Sequence, residues 1–234
     1  MIIVGIDDTD TLETPGTNQL AKSIVRAIAN DWRCLRIVRH QLFFDPRVPY
    51  TSKNGSASIT LASRGQAEPA KLAQLCEYMM QEWFVEGSDP GLCVVETVPQ
   101  DITAFGRKCQ TEIVTQGMAR ELAAAHKVLL KGLGGTEGGV IGALAAVGLA
   151  VTGDDGRVVQ HGEWPDDLSG SVSLNILHQR EIDVVDMDRS TPVTAGCVDV
   201  GKHLRPNRRN GRTVLFVRQD QSTGEPAYRA MKLT

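Results

Sequence analysis

Three carboxylates crowd one short stretch of the chain: Asp7, Asp8 and Asp10, with hydroxyls from Thr9 and Thr11 alongside. They follow directly on Ile2-Ile3-Val4-Gly5-Ile6, an apolar, β-branched run of the kind that forms a strand covered on both faces. Crowded carboxylates repel one another unless a cation neutralises them. A hard cation such as Mg²⁺ takes one or two carboxylates and completes its shell with phosphate oxygens. In open α/β sheets, ligands bind beyond the carboxyl ends of the strands. A solvated turn with Asp10 as a cap is the plainer alternative, since aspartate is common in loops.

Further candidates for phosphate chemistry lie along the chain. Pro15-Gly16-Thr17 breaks the chain ahead of Leu20, Ile24, Val25 and Ile28. That spacing predicts a helix over 17–30 and puts Thr17 near its N-cap, where free amides and the positive dipole end favour an anion. Simple capping is the competing role for Thr17. The segment Lys131-Gly132-Leu133-Gly134-Gly135-Thr136-Glu137-Gly138-Gly139 fits neither the dinucleotide fingerprint nor the P-loop. Gly134, Gly135, Gly138 and Gly139 would still let the backbone approach a phosphate, and Glu137 would add a metal-directed carboxylate. A flexible turn before a small-residue helix, Val140 to Val147, is the other reading. Lys53, Asn54 and Gly55, after Pro49-Tyr50, and Arg107 with Lys108 offer cations and a permissive turn; lone loop cations are otherwise solvated. Residues 202–212, from Lys202-His203 through Arg208-Arg209 to Arg212, form the one dense basic patch. It suits a solvated hairpin tip or a contact surface for a phosphate-bearing substrate.

These residues need elements to position them. Strands are predicted at 2–6, 35–44, 56–61 and 92–95, and helices over 17–30 and 67–85, the latter with Leu72, Leu75, Met79 and Phe84 on its apolar stripe. Residues from about 109 to 127 read as a helix-rich stretch with Ile113, Val114, Met118 and Leu122 facing inward. Residues 149–152 and 157–159 flank Asp154-Asp155-Gly156, a hairpin signal. The remainder, with strands near 171–177 and 213–218, is strand-rich and lacks a long helix. The class is α/β or α+β, with a smaller β-rich part beginning after 150.

Composition sets the outer bounds. With 234 residues, 41% hydrophobic and 23% charged, the chain is an ordinary globular one. No apolar run approaches the ~18 residues of a membrane span, and the N-terminus lacks the basic region of a secretory signal, so a cytoplasmic protein is expected. The net charge of −3 supplies no global basic field for nucleic acid. The five cysteines form no C-x-x-C pair, which argues for reduced, mostly buried thiols rather than a zinc ribbon. The histidines show no ligand spacing.

Taken together, the segments resemble the archaeal tRNA(Ile2) agmatinylcytidine synthetases and their shorter relatives. Gly5-Ile6-Asp7-Asp8-Thr9-Asp10 is similar to that family's opening signature, and Thr17 falls where the synthetases carry an autophosphorylated threonine. Pro49-Tyr50 through Lys53-Asn54-Gly55, Asp89-Pro90-Gly91, Arg107-Lys108 and Gly139-Val140-Ile141-Gly142-Ala143-Leu144-Ala145-Ala146 follow in the family's order. The resemblance covers roughly the first 150 residues. It implies an ATP- and Mg²⁺-binding kinase-like domain over 1–150 and a smaller ferredoxin-like or β-rich domain over 151–234. It further implies metal roles for Asp7, Asp8 and Asp10, and phosphate contacts from the glycine segment. The synthetases continue into an OB-fold and a zinc ribbon, for which this sequence has no C-x-x-C, and Asn18 replaces the second threonine of their Cys-Thr-Thr run. The expectation is therefore an ATP- and Mg²⁺-dependent phosphotransferase or ATP-activating ligase acting on a small molecule. Asp7, Asp8, Asp10 and Thr17 would be its catalytic residues, and Lys53, Arg107 and Lys108 would clamp phosphate oxygens. RNA-base (tRNA cytidine) modification with a partner supplying RNA binding is the first alternative, and a non-catalytic nucleotide-binding regulatory module the second. Nucleic acid is the less favoured partner, and self-association is left undecided.

Overall fold

A computed structural model describes residues 1–7, 9, 16–48, 54–65, 68–220 and 227–233. Contacts divide the chain into two compact units, Met1–Thr152 and Gly153–Thr234. The architecture is mixed α/β, as the alternation of apolar runs and helical stripes predicts.

In the first unit the chain runs β1 (Ile2–Asp7), α1 (Thr17–Ala27), β2 (Trp32–Gln41), β3 (Gly55–Ser63), α2 (Pro69–Glu82), β4 (Gly91–Val95), α3 (Gln100–Lys108), α4 (Gln116–Ala125), β5 (Leu129–Gly132) and α5 (Val140–Ala150). The strands form a wholly antiparallel sheet in the order β5-β4-β1-β3-β2. β1 is its central strand, and Ile2, Ile3, Val4 and Ile6 are all buried, which is what its unbroken apolar run demands. α5 packs against β1, β3 and β4, and α3 and α4 pack against α5. Ile3, Cys93 and Val95 join Ile102, Phe105, Ala119, Ala143 and Val147 in one core on that side. α1 and α2 pack on the sheet as well, through Leu20, Ile24, Leu72 and Cys76. α5 is buried from Val140 through Ala150 save Ile141, and its small residues let it lie close: a Cβ on Gly5 would stand 2.1 Å from the Ala143 carbonyl oxygen.

Several sequence expectations give way here. The helix of the 109–127 stretch is α4 alone: the chain breaks after α3 and restarts at Thr115, whose hydroxyl caps α4 by accepting from the Met118 amide. Ala119 and Ala123 are its buried residues and Val114 and Leu122 pack half-buried on the core, whereas Ile113 and Met118 are 44% and 37% exposed. Phe84 lies past the end of α2 and is exposed, off the stripe it was expected to join. Residues 149–152 are no strand but the last turn of α5 and its exit, so 154–156 closes no hairpin with them.

The second unit runs β6 (Arg157–His161), β7 (Ser171–Ser173), α6 (Leu174–Gln179), β8 (Ile182–Asp186), β9 (Thr191–Pro192), β10 (Cys197–Asp199), β11 (Asn207–Arg209), β12 (Arg212–Asp220) and β13 (Ala227–Ala230). The segment read as a strand over 171–177 is a three-residue strand followed by α6, capped by the Ser173 hydroxyl. β12 pairs with β8 in parallel and with β11 and β13 antiparallel. β11–β12 is the hairpin expected of the basic patch, and Arg208 in it is buried, donating to the Thr213 hydroxyl and the Gly211 carbonyl. Val172, Leu174, Leu177, Val184, Val198 and Leu215 build this unit's own core.

Candidate functional site

The register of the first sheet gathers most of the candidate residues at one end. Asp7 closes β1 opposite Gly91, which opens β4; Gly91 in turn faces Gly132, the last residue of β5. On the other side of β1, Gly55 opens β3 opposite Gln41 at the end of β2. The segments leaving this end are therefore 8–16, 42–54 and 133–139, the acidic turn, the approach to Asn54 and the glycine segment. Asp8, Asp10 and Lys53 lie outside the described residues.

Asp7 is seated by α5. Its carboxylate lies against Gly142 in the helix's first turn, where a Cβ would stand 1.8 Å from Asp7 Oδ2. That turn contains no acid of its own, so β1 supplies the negative charge that the positive end of the helix favours. Asp7 also lies close enough to Cys109 to help burial, the larger cause, push that thiol up to about 12.

Thr17 is not the N-cap. Gly16 holds that position, without a side-chain cap, and Thr17 is the first residue of α1. The buried Thr9 hydroxyl donates to the Thr17 hydroxyl at 3.1 Å, tying the acidic turn to the helix start. Beside it Asn18 Oδ1 is buried and has no hydrogen-bond partner among the described residues. A helix N-terminus with no acidic residue in its first turn, next to two hydroxyls and a carboxylate-ended strand, suits a phosphate.

The glycine segment is braced rather than loose. Asp89 accepts hydrogen bonds from the Thr136 amide and, at 2.7 Å, the Thr136 hydroxyl, while the Gly139 amide donates to the Asp89 carbonyl at 2.9 Å. Gly135 has φ +56°, and a Cβ there would meet Asp89 Oδ1. Gly134 leaves room for the Phe84 ring, and Gly139 for the Asp89 and Gly91 backbone. Gly138 has space for a Cβ at ordinary contact distance. Glu137 is ion-paired with Arg120, so its charge is already matched.

Asn54, Arg107 and Lys108 are also engaged within the fold. Asn54 Nδ2 donates to the Phe43 carbonyl at 2.8 Å, and the Leu42 amide donates to the Asn54 carbonyl. Arg107 donates to Gln110 Oε1 at 3.3 Å, and Lys108 stands 3.6 Å from Glu112. Gln110 reaches the Gln41 carbonyl, so the C-terminal end of α3 is tied to the end of β2. Sequence reasoning missed Gly142 as the seat of Asp7 and Arg120 as the partner of Glu137. A glycine inside an apolar helix signals close packing, so Gly142 was the recoverable one.

Cys34, Cys76, Cys93 and Cys109 are buried thiols outside any disulfide and Cys197 is exposed. No group of three or more metal-ligating side chains occurs among the described residues. No helix among them is long and apolar enough to cross a membrane.

This fold, with a carboxylate-ended central strand and a braced glycine segment at one sheet end, is that of a mixed α/β protein resembling the tRNA(Ile2) agmatinylcytidine synthetases. The chain is 24% identical over 179 residues to the tRNA(Ile2) 2-agmatinylcytidine synthetase TiaS of Cenarchaeum symbiosum (strain A), a match covering 71% of this chain and 40% of that protein. The chain thus spans two fifths of the length of that curated relative. Among solved structures it resembles the TiaS–tRNA(Ile2)–ATP complex, with a TM-score of 0.55 and 23% identity over 63% of this chain and 36% of the other. A tRNA fluorescent labeling enzyme matches equally, with a TM-score of 0.55 and 23% identity over 63% and 35%. No family model matches the chain.

Proposed function

We propose that this chain binds ATP with Mg²⁺ at the Asp7 end of the first sheet and activates an RNA base, of the tRNA cytidine class, for substitution. The observation that carries the proposal is the Asp7 carboxylate held on the first turn of α5, two residues before the Thr9 whose hydroxyl bonds Thr17 at the start of α1. The choice of RNA over the small molecule first expected rests on the relatives. One is named as a tRNA(Ile2) 2-agmatinylcytidine synthetase, and another was solved with tRNA(Ile2) and ATP.

The donors fit the cation. One carboxylate and two hydroxyls are hard oxygen ligands, and Asp8 and Asp10 add two carboxylates in the adjoining sequence. Asp7, Asp8 and Asp10 would hold Mg²⁺, which would supply positive charge to the phosphates. Thr17 would orient the γ-phosphoryl group or accept it. Lys53, Arg107 and Lys108 would face phosphate oxygens, and the backbone of Gly138 would line the nucleotide, with the Gly139 amide held by the Asp89 carbonyl. Glu137, matched by Arg120, would brace this segment rather than bind metal.

The test is a Mg²⁺-dependent incubation with γ-labelled ATP and tRNA transcripts, followed by phosphopeptide mapping and nucleoside mass analysis. The expected result is ATP turnover with label at Thr17 and a modified cytidine, all lost in Asp8→Asn while the fold is retained. Turnover that persists in Asp8→Asn overturns the metal assignment. ATP turnover without any RNA product returns the small-molecule acceptor, and ATP binding without turnover leaves the regulatory module.

A further inference from the structure

The second unit exposes an aromatic ring that the fold goes to some length to hold. Trp164 is 47% exposed, in the stretch between β6 and β7. The Arg180 guanidinium lies over its ring, 5.2 Å from the centroid. Arg180 is itself clamped, donating to both Asp167 carboxylate oxygens at 2.7 and 3.2 Å and to the Pro165 carbonyl at 3.1 Å. The indole is therefore backed by a planar group fixed from three directions, while close to half of its surface stays open to solvent. A side chain this costly to leave in water is not braced for the sake of the core, whose members lie elsewhere in the unit.

The charge pattern around it points to one kind of partner. Arg212, Arg218 and Arg229 each stand against an aspartate, Asp183, Asp188 and Asp220, at 3.3, 3.1 and 3.3 Å. Lys202 and Arg205 have no acid partner among the described residues. They flank Leu204, and Leu204 and Pro206 line the same depression as Trp164 and Arg180. Unmatched cations thus lie within two residues of Leu204 in the wall of the depression, which Asp166 also lines, while the cations of β12 and β13 are neutralised. Gln160 and His161 also line the depression; Gln160 Nε2 donates to the Gly162 carbonyl at 3.1 Å and His161 Nδ1 meets the Thr213 hydroxyl at 3.0 Å, so the Gln160 amide oxygen is the group that suits the edge of a base. A stacking surface, an edge acceptor and unmatched cations are what an unpaired nucleotide requires. Duplex RNA hides its base faces and is recognised instead by shape and backbone.

We propose that the Trp164–Arg180 pair is a base-stacking platform for single-stranded RNA, with Lys202 and Arg205 taking the flanking phosphates. This rests on the reading of RNA as substrate but uses no residue of the ATP site. The experiment titrates a fluorescein-labelled single-stranded oligouridylate of about twelve nucleotides with the full chain, without ATP, and follows anisotropy across a salt series. Trp164→Ala should weaken binding about tenfold, the loss expected for one stacked base, while Trp164→Phe stays close to wild type. The double variant K202A/R205A should weaken binding and flatten the logarithmic salt slope by about 1.4, two phosphates' worth on a single strand. R218A, whose arginine is already paired, should leave the slope unchanged. Wild-type affinity in both Trp164→Ala and K202A/R205A overturns the proposal, as does a wild-type chain that prefers duplex to single strand or binds neither. RNA binding without ATP turnover would leave this surface standing and remove the ATP reading, and turnover without RNA binding would do the reverse.

Discussion

The carboxylate of Asp7 and the bare Cα of Gly142 occupy space that cannot hold both a carboxylate and a methyl group: a Cβ at 142 would lie 1.8 Å from Asp7 Oδ2. The two residues come from β1 and α5, and each makes sense only through the other. Strand and helix meet so closely that the acid is buttressed by backbone, which fixes it better than a rotamer-rich neighbour could.

Gly142→Ala should therefore act on chemistry before stability. The Asp7 side chain can swing away at the usual overpacking cost of about 1–3 kcal/mol, but it then leaves the first turn of α5. Turnover of ATP is expected to fall at least about tenfold, with far-UV circular dichroism unchanged. A Gly142→Ala chain with wild-type turnover would show that the position of Asp7 does not matter to catalysis.

The brace on the glycine segment gives a coupled pair. Asp89→Ala removes two hydrogen bonds that Thr136 donates to a charged acceptor, at a cost of about 1.5–3 kcal/mol for such a group. Gly135→Ala places a methyl at φ +56° against the same carboxylate. Removing the Asp89 carboxylate relieves that contact but leaves the Ser88 carbonyl oxygen, 2.6 Å from such a Cβ, and the backbone strain. The double variant should be less destabilised than the sum of the singles, by about 0.5 kcal/mol or more in denaturant melts. Strict additivity would mean that the loop moves aside.

Legibility followed the range of the physics. β1 and its acidic exit could be read locally, because an apolar β-branched run ending in Asp7 is buried on both faces wherever it goes. The existence and type of α1, α2, β3 and β4 were legible for the same reason. α3 was not: Gln100–Lys108 is mostly polar and contains Gly106, a residue that reads as a breaker. Only α5 explains it, because the two helices approach so closely that a Cβ on Gly148 would meet the Ile102 carbonyl oxygen at 2.2 Å. Val151 and Thr152 look like a strand by propensity yet form the cap and turn that follow α5, since a helix buried almost throughout overrides local preference at its exit. At the site, the clustering of Asp7, Thr9, Asn54 and the glycine segment depends on strand register. Register is a pairing property that no single segment encodes.

The buried thiols supply a test of the first unit's core that is independent of function. Burial pushes Cys76 and Cys109 up to about 12 and Cys93 higher still, from an ordinary value of 9.0. In the unfolded chain these thiols ionise normally. Below about pH 9 both states keep the proton and the thiols contribute no pH dependence. Between about pH 9 and 12 the unfolded chain has lost protons that the folded chain retains, so stability falls as pH rises, by roughly 1.4 kcal/mol per pH unit for each fully buried thiol. Denaturant midpoints should therefore drop steeply above pH 9 and flatten in that range when Cys76 and Cys93 are replaced by alanine. At pH 8 a maleimide should label Cys197 rapidly and Cys34, Cys76, Cys93 and Cys109 only after denaturation. Rapid native labelling of Cys109 would place it in an open site, and the packing of α3 against α5 would then have to be abandoned.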